Sequence, residues 1–126
     1  MYDQERISII IEEINKYFKE IEELKIKNIK DLDTIKFRAA SMDIFQIINK
    51  TIDIAEEIAM KINLGFPSEY KELFTLIRRA KIIDEQTETK LKNLIILRNK
   101  VSHRYGAIDE KDVFNALREI DVVKKL

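Results

Sequence analysis

Isoleucine and phenylalanine recur at helical spacing through most of this chain. Ile7, Ile10, Ile11, Ile14, Phe18 and Ile21 form one stripe, which predicts an amphipathic helix over residues 4–25. The next stretch, 25–33, mixes Lys and Asp with Ile26, Ile29 and Leu32 and reads as a connection carrying a turn of helix. Asp33 is placed to cap a second helix, with Phe37, Ala40, Ile44, Ile47, Ile48, Ala55, Ile58, Ala59 and Ile62 on its inner face. No Gly or Pro interrupts that helix before Gly65. At ~1.5 Å per residue it reaches roughly 45 Å, so one end is expected to project or serve an interface.

Gly65-Phe66-Pro67-Ser68 is the clearest break. Gly65 suits the C′ position of the helix before it, and Ser68 can cap a short third helix built on Tyr70, Leu73, Phe74 and Ile77. Asp84 can cap a fourth helix over residues 85–101. After Gly106, Asp109 can cap a fifth, with Val113, Phe114, Leu117, Ile120 and Val123 inside. No segment alternates like a strand. The pattern predicts one all-α domain over residues 1–126, an up-and-down bundle of four to five helices.

Composition narrows the chemistry. The chain has 126 residues, with 23 basic against 23 acidic side chains, one His, no Cys and two Gly. Without Cys there is no disulfide framework, thiolate nucleophile or Cys-based metal site. One His excludes an intrachain two-His metal site, and two isolated glycines exclude the phosphate-binding glycine loops. No apolar run approaches the ~20 residues of a membrane span, and the N-terminus lacks a signal-peptide pattern. A soluble, cytoplasmic protein is expected. Zero net charge argues against a polyanion binder that works by overall basicity. Paired carboxylates such as Glu12-Glu13 and Glu56-Glu57 read as solvated faces.

The fourth helix breaks its own pattern. Leu91, Leu94, Ile95 and Val101 share a face, and Arg98 falls in the middle of it, one heptad after Leu91. A guanidinium is rarely buried unpaired. Either Arg98 forms a buried pair with a carboxylate, or the stripe stops being core there and becomes an interface or cleft. His103 lies four residues after Asn99 on a neighbouring face. Arg98, Lys100, His103 and Arg104 are close together, while the nearest acidic residues are Glu88 and Asp109. The chain is neutral overall and basic locally, which favours a phosphate-bearing ligand.

These residue types suit metal-free RNA cleavage, in which a 2′-hydroxyl attacks the adjacent phosphate. The reaction needs a base for the hydroxyl, an acid for the departing 5′-oxygen and positive charge for the dianionic transition state. Arg provides a bidentate fork for phosphate, and His is the natural proton carrier. A two-fold homodimer with a shared cleft would supply two of each.

The segment Arg98-Asn99-Lys100-Val101-Ser102-His103-Arg104-Tyr105 reads R-x4-H-x-Y. It resembles the signature of the HEPN superfamily, specifically the HepT-like toxins of MNT/HEPN toxin–antitoxin pairs. The stretch Phe66 to Phe74, Ile82-Ile83-Asp84-Glu85, the approach Leu97-Arg98-Asn99 and Ile108-Asp109 are similar to that family as well. The resemblance implies an all-α homodimer and a metal-independent endoribonuclease without a cofactor. It implies that Arg98 binds the scissile phosphate, that His103 transfers protons and that Asn99 orients one of them. Tyr105 matches the motif tyrosine, the expected acceptor of AMP from a partner MNT-type nucleotidyltransferase acting as antitoxin, as in a type VII-like pair. The added phosphate charge and bulk would exclude RNA from the cleft. The alternative reading is a non-catalytic HEPN module whose Arg98/His103 cleft docks a nucleotide or the partner protein. Arg38 and Asp53 read as surface residues rather than catalytic ones.

Overall fold

Three helices of this chain begin in the same way. The carboxylates of Asp33, Asp84 and Asp109 each accept the backbone N–H three residues on, from Lys36 at 2.8 Å, Thr87 at 2.7 Å and Asp112 at 2.9 Å. Each bond satisfies one of the donors that a helix start leaves without an intrahelical partner. All three caps are as the sequence predicts. The computed structural model describes residues 4–63, 65, 67–103 and 108–125. Within them run α1 (Gln4–Glu23), α2 (Thr34–Lys61), α3 (Tyr70–Arg79), α4 (Glu85–His103) and α5 (Glu110–Glu119). Short 3-10 segments occupy Ile29–Asp31 and Ile120–Lys125, and no strand occurs among the described residues.

The long α2 organises the rest. It packs against α1, α3, α4 and α5, and successive helices are neighbours along the chain. Ile44, Ile47, Ile48, Ile52, Ala40, Ala55 and Ala59 of α2 are buried, with Ile10, Ile14 and Phe18 of α1 in the same core. Leu73, Phe74 and Ile77 of α3, Leu91, Leu94 and Ile95 of α4, and Val113 and Ala116 of α5 complete it. Phe74 and Ile77 are fully buried. Alanine at three core positions of α2 lets neighbouring helices approach its backbone closely. No helix among the described residues is long and apolar enough to cross a membrane.

Several details depart from the sequence expectation. Ile11 and Ile62 belong to the predicted stripes yet are exposed, as are Ile35 and Met42 of α2. A 3.6-residue period marks a wide face, and only its centre meets another helix. The predicted fifth helix tightens into 3-10 geometry from Ile120, although Ile120 and Val123 are buried as expected. Glu69, not Ser68, occupies the cap position of α3, and it makes no side-chain cap bond.

Glu57 is buried rather than solvated, because its carboxylate takes an ion pair from Arg6 of α1. Another buried carboxylate, Glu88 of α4, accepts from Thr75 and pairs with Arg78 and Lys92. Asp43 of α2 is only 6 % exposed and has a carboxyl for a neighbour. Burial first, and then the hydrogen bond and charge of Glu20 on α1, push the Asp43 carboxyl up to about 7.

The turns also use unexpected residues. The left-handed position after α2 is taken by Asn63 (φ 57°), two residues before the predicted Gly65, and those after α1 and α3 by Lys25 (φ 54°) and Lys81 (φ 63°). After α3 the Ile82 N–H bonds the Ile77 carbonyl at 3.2 Å and the Lys81 N–H bonds that of Arg78 at 2.8 Å, which closes a Schellman motif. A lysine there carries a Cβ penalty of about 1–2 kcal/mol, whereas glycine loses some of that gain to unfolded-chain entropy. Lys81→Gly is therefore expected to raise the unfolding free energy by about 0.5–1 kcal/mol, read from urea denaturation. A decrease would show that the turn is held by contacts of the Lys81 side chain.

Candidate functional site

Arg98 leaves the apolar face of α4 just where the core thins out. Leu91, Leu94 and Ile95 are buried, whereas Leu97, Arg98 and Asn99 are half-buried. The Arg98 side chain reaches α2, where its Nε donates to Asn49 Oδ1 at 3.0 Å. One Nη1 hydrogen goes to Asn99 Oδ1 at 3.3 Å. Its Cζ lies 5.3 Å from the ring centre of Tyr70, the first residue of α3, and 5.9 Å from that of Phe45 on α2. Both rings are within cation–π range.

No carboxylate among the described residues pairs with Arg98. Of the two readings of its anomalous position, a buried ion pair is thereby set aside among those residues. The guanidinium is held by amide oxygens and aromatic rings, which fix it without neutralising it. A positive charge kept in that state is suited to bind an anion, and the planar fork matches a phosphate.

The other predicted site residues fall as follows. Asn99 touches Arg98 directly. His103 is the last residue of α4. Its side chain, together with Arg104, Tyr105 and Gly106, lies outside the described residues. Lys100, part of the basic cluster, stands 4.0 Å from Asp112 of α5, so a carboxylate partly offsets it. Arg38 is exposed, and Asp53 lines a shallow surface groove with Glu13 and Lys50. No group of three His, Asp or Glu side chains among the described residues is placed to hold a metal ion.

A groove of about 560 Å³ runs between α4 and α5 beside the motif helix. Lys90, Lys100 and Arg118 line it together with Asp112 and Glu119, so its charge is mixed, and Arg98 is not part of its wall. The chemistry at Arg98 therefore defines the site better than the groove does.

Asn49, Phe45 and Tyr70 were not legible as site residues. Phe45 and Asn49 lie one turn apart on α2, next to the core positions Ile44 and Ile48. A polar amide at the margin of an apolar face is a signal of sorts. Nothing in the spacing says which helix it meets.

Comparison with known proteins agrees with this architecture. A family model described as HepT-like ribonuclease matches residues 7–126. A tri-AMPylated HEPN toxin of Shewanella oneidensis, solved in complex with its MNT antitoxin, superposes with a TM-score of 0.77 at 24 % identity, covering 95 % of this chain and 97 % of that one. A toxin–antitoxin crystal structure with AMP-PNP gives a TM-score of 0.75 at 22 % identity, covering 95 % and 98 %. YutE from Bacillus subtilis, described as a cytosolic protein of unknown function, gives 0.78 at 17 % identity, covering 99 % and 90 %. At these identities the superpositions speak to the fold. A search of curated protein sequences finds no significant match. The all-helical fold and a family match that runs from residue 7 to the last residue agree with the resemblance first read in Arg98 to Tyr105, and the chain belongs to the HepT-like ribonuclease family.

Proposed function

We propose that this protein is a metal-independent endoribonuclease, the toxin of a type VII-like toxin–antitoxin pair. In this reading residues 1–126 form one HEPN domain that works as a homodimer in the cytoplasm. The observation that carries the reading is the guanidinium of Arg98, which stands on the helix that ends at His103 and is held by Asn49 of α2 and Asn99 of α4. A cation fixed in place without a carboxylate partner among the described residues is ready for the phosphate of an RNA strand. The 2′-hydroxyl gives its proton to a base and attacks the adjacent phosphorus. The P–O5′ bond breaks, and the 5′-oxygen leaves with a proton from an acid. His103 is the residue able to act in either role. Arg98 stabilises the charge that develops on the phosphoryl oxygens. Two-fold pairing would supply the second imidazole that one chain lacks.

Cleavage of RNA by the purified, unmodified protein is expected to persist in EDTA and to leave 2′,3′-cyclic phosphate ends. Binding of RNA without turnover would instead favour a non-catalytic docking module.

Regulation follows from the partner seen with structural relatives. A toxin of this fold has been solved in AMPylated form with an MNT antitoxin. For this chain the acceptor is Tyr105, two residues beyond the end of α4. Co-expression with the neighbouring nucleotidyltransferase is expected to raise the intact mass in whole AMP units. The Tyr105→Phe variant should show no such increase. A gain that survives this substitution would place the modification elsewhere.

A further inference from the structure

We propose that Asn49 is the positioning residue for Arg98, and that its neutrality is what keeps the Arg98 charge available to the substrate. The proposal rests on the ribonuclease reading above and concerns a residue far from the motif in sequence.

The geometry is specific. Arginine has only N–H donors, so the Asn49 amide must present its oxygen to it. That oxygen takes Nε, the one donor on the inner side of the guanidinium, at 3.0 Å. Tyr70 and Phe45 lie over the guanidinium at 5.3 and 5.9 Å. Asn99 draws on Nη1 from within α4. These contacts fix the rotation of the guanidinium about its long axis, and the Asn99 bond uses one Nη1 hydrogen, which leaves the second Nη1 hydrogen and Nη2 to form the outer edge. The outer edge is the one that forms a two-pronged contact with phosphate.

Residue type matters as much as place. An aspartate at position 49 would bind the same Nε more strongly, because the bond would then be charge-assisted. It would also neutralise the charge that the phosphate needs. An alanine would leave the charge but release the rotation. A purely structural Asn49 predicts that aspartate serves as well as asparagine. A positioning Asn49 predicts that aspartate holds the fold and loses the function.

The test compares Asn49→Ala and Asn49→Asp with the wild-type protein. Three quantities are read: thermal midpoint, kcat and KM on RNA, and affinity for an uncleavable 2′-deoxy oligonucleotide at several salt concentrations. For Asn49→Asp the thermal midpoint should be retained or raised. Its affinity should fall about tenfold or more, with a shallower salt dependence, since one phosphate contact is lost. For Asn49→Ala kcat should fall about tenfold, with KM moving less than about threefold, as alignment rather than charge is lost. Wild-type cleavage matched by both variants overturns the positioning role and leaves the ribonuclease reading standing. A wild-type protein that binds without cleaving leaves the affinity of Asn49→Asp to decide, with no change overturning the proposal. A wild-type protein that neither cleaves nor binds overturns both.

Discussion

Arg98→Ala should reduce RNA cleavage by at least about 10²-fold, the scale of losing one preorganised donor to a developing oxyanion. His103→Ala should cost about 10²–10⁴-fold, the range of general acid–base catalysis. Both are measured as initial rates on the same RNA in EDTA. The accompanying change in stability separates a functional Arg98 from a structural one. Removing one partner of a buried ion pair costs about 3–5 kcal/mol, because a charge is left stranded. Arg98 has no such partner among the described residues. What it loses is hydrogen bonds to Asn49 and Asn99 and contact with two rings. Those contacts amount to roughly 1–3 kcal/mol. Arg98→Lys sharpens the comparison, since it keeps the charge but lacks both Nε and the planar face. If Arg98→Ala lowered stability strongly and activity only in proportion to the folded fraction, the catalytic assignment would fail.

The second large effect is one of pH. Asp43 titrates near 7 in the folded protein because burial and the Glu20 carboxyl disfavour its charge. In the unfolded chain it titrates near ~3.9. Between these values the folded state holds the proton and the unfolded state does not. The contribution of this group is thus fully present below about pH 4 and is lost as pH rises through about 7. Above that, two carboxylates face each other between α1 and α2. An asparagine amide in place of the Asp43 carboxyl would mimic the protonated form at every pH and could still donate to Glu20. Asp43→Asn is therefore expected to stabilise the protein by about 1–3 kcal/mol at pH 8 and to change it little near pH 4. The comparison is made by urea denaturation of both proteins at each pH. Glu56 is also raised, by burial and the nearby Asp53, but it is common to both proteins and cancels in the difference. A variant no more stable than wild type at pH 8 would show that the Asp43 charge is tolerated.

Glu88 works in the opposite direction. Burial is the largest single influence on its carboxyl and acts upward, but Lys92, Thr75 and Arg78 together hold it below its usual value. It contributes above the unfolded value near ~4.3 and is lost on further acidification. Its window lies below that of Asp43, so the two can be told apart in one pH series.

Much of this protein was legible from local rules. The caps at Asp33, Asp84 and Asp109 depend on residues three positions apart, and all three form as read. The interior of each helix follows from its own spacing, as Ile10, Ile14 and Phe18 show in α1. Turn chemistry was less legible, because Lys25, Asn63 and Lys81 take left-handed positions that glycine would accept at lower cost. The chain carries only two glycines, so composition forced other residues into those places.

By itself the sequence determined an all-helical chain, the ends of most of its helices and the anomaly of an arginine on an apolar stripe. It also carried the motif that marks the family. Tertiary structure decided what surrounds that arginine. Asn49, which holds its Nε, stands 49 residues earlier, and Tyr70 comes from a third helix. It decided too that Glu57 and Asp43 are buried while Ile11 and Ile62 are exposed. Periodicity selects the inward face of each helix separately. The partners met across that face depend on the crossing angle and offset of two helices, which are settled only when all the helices pack together.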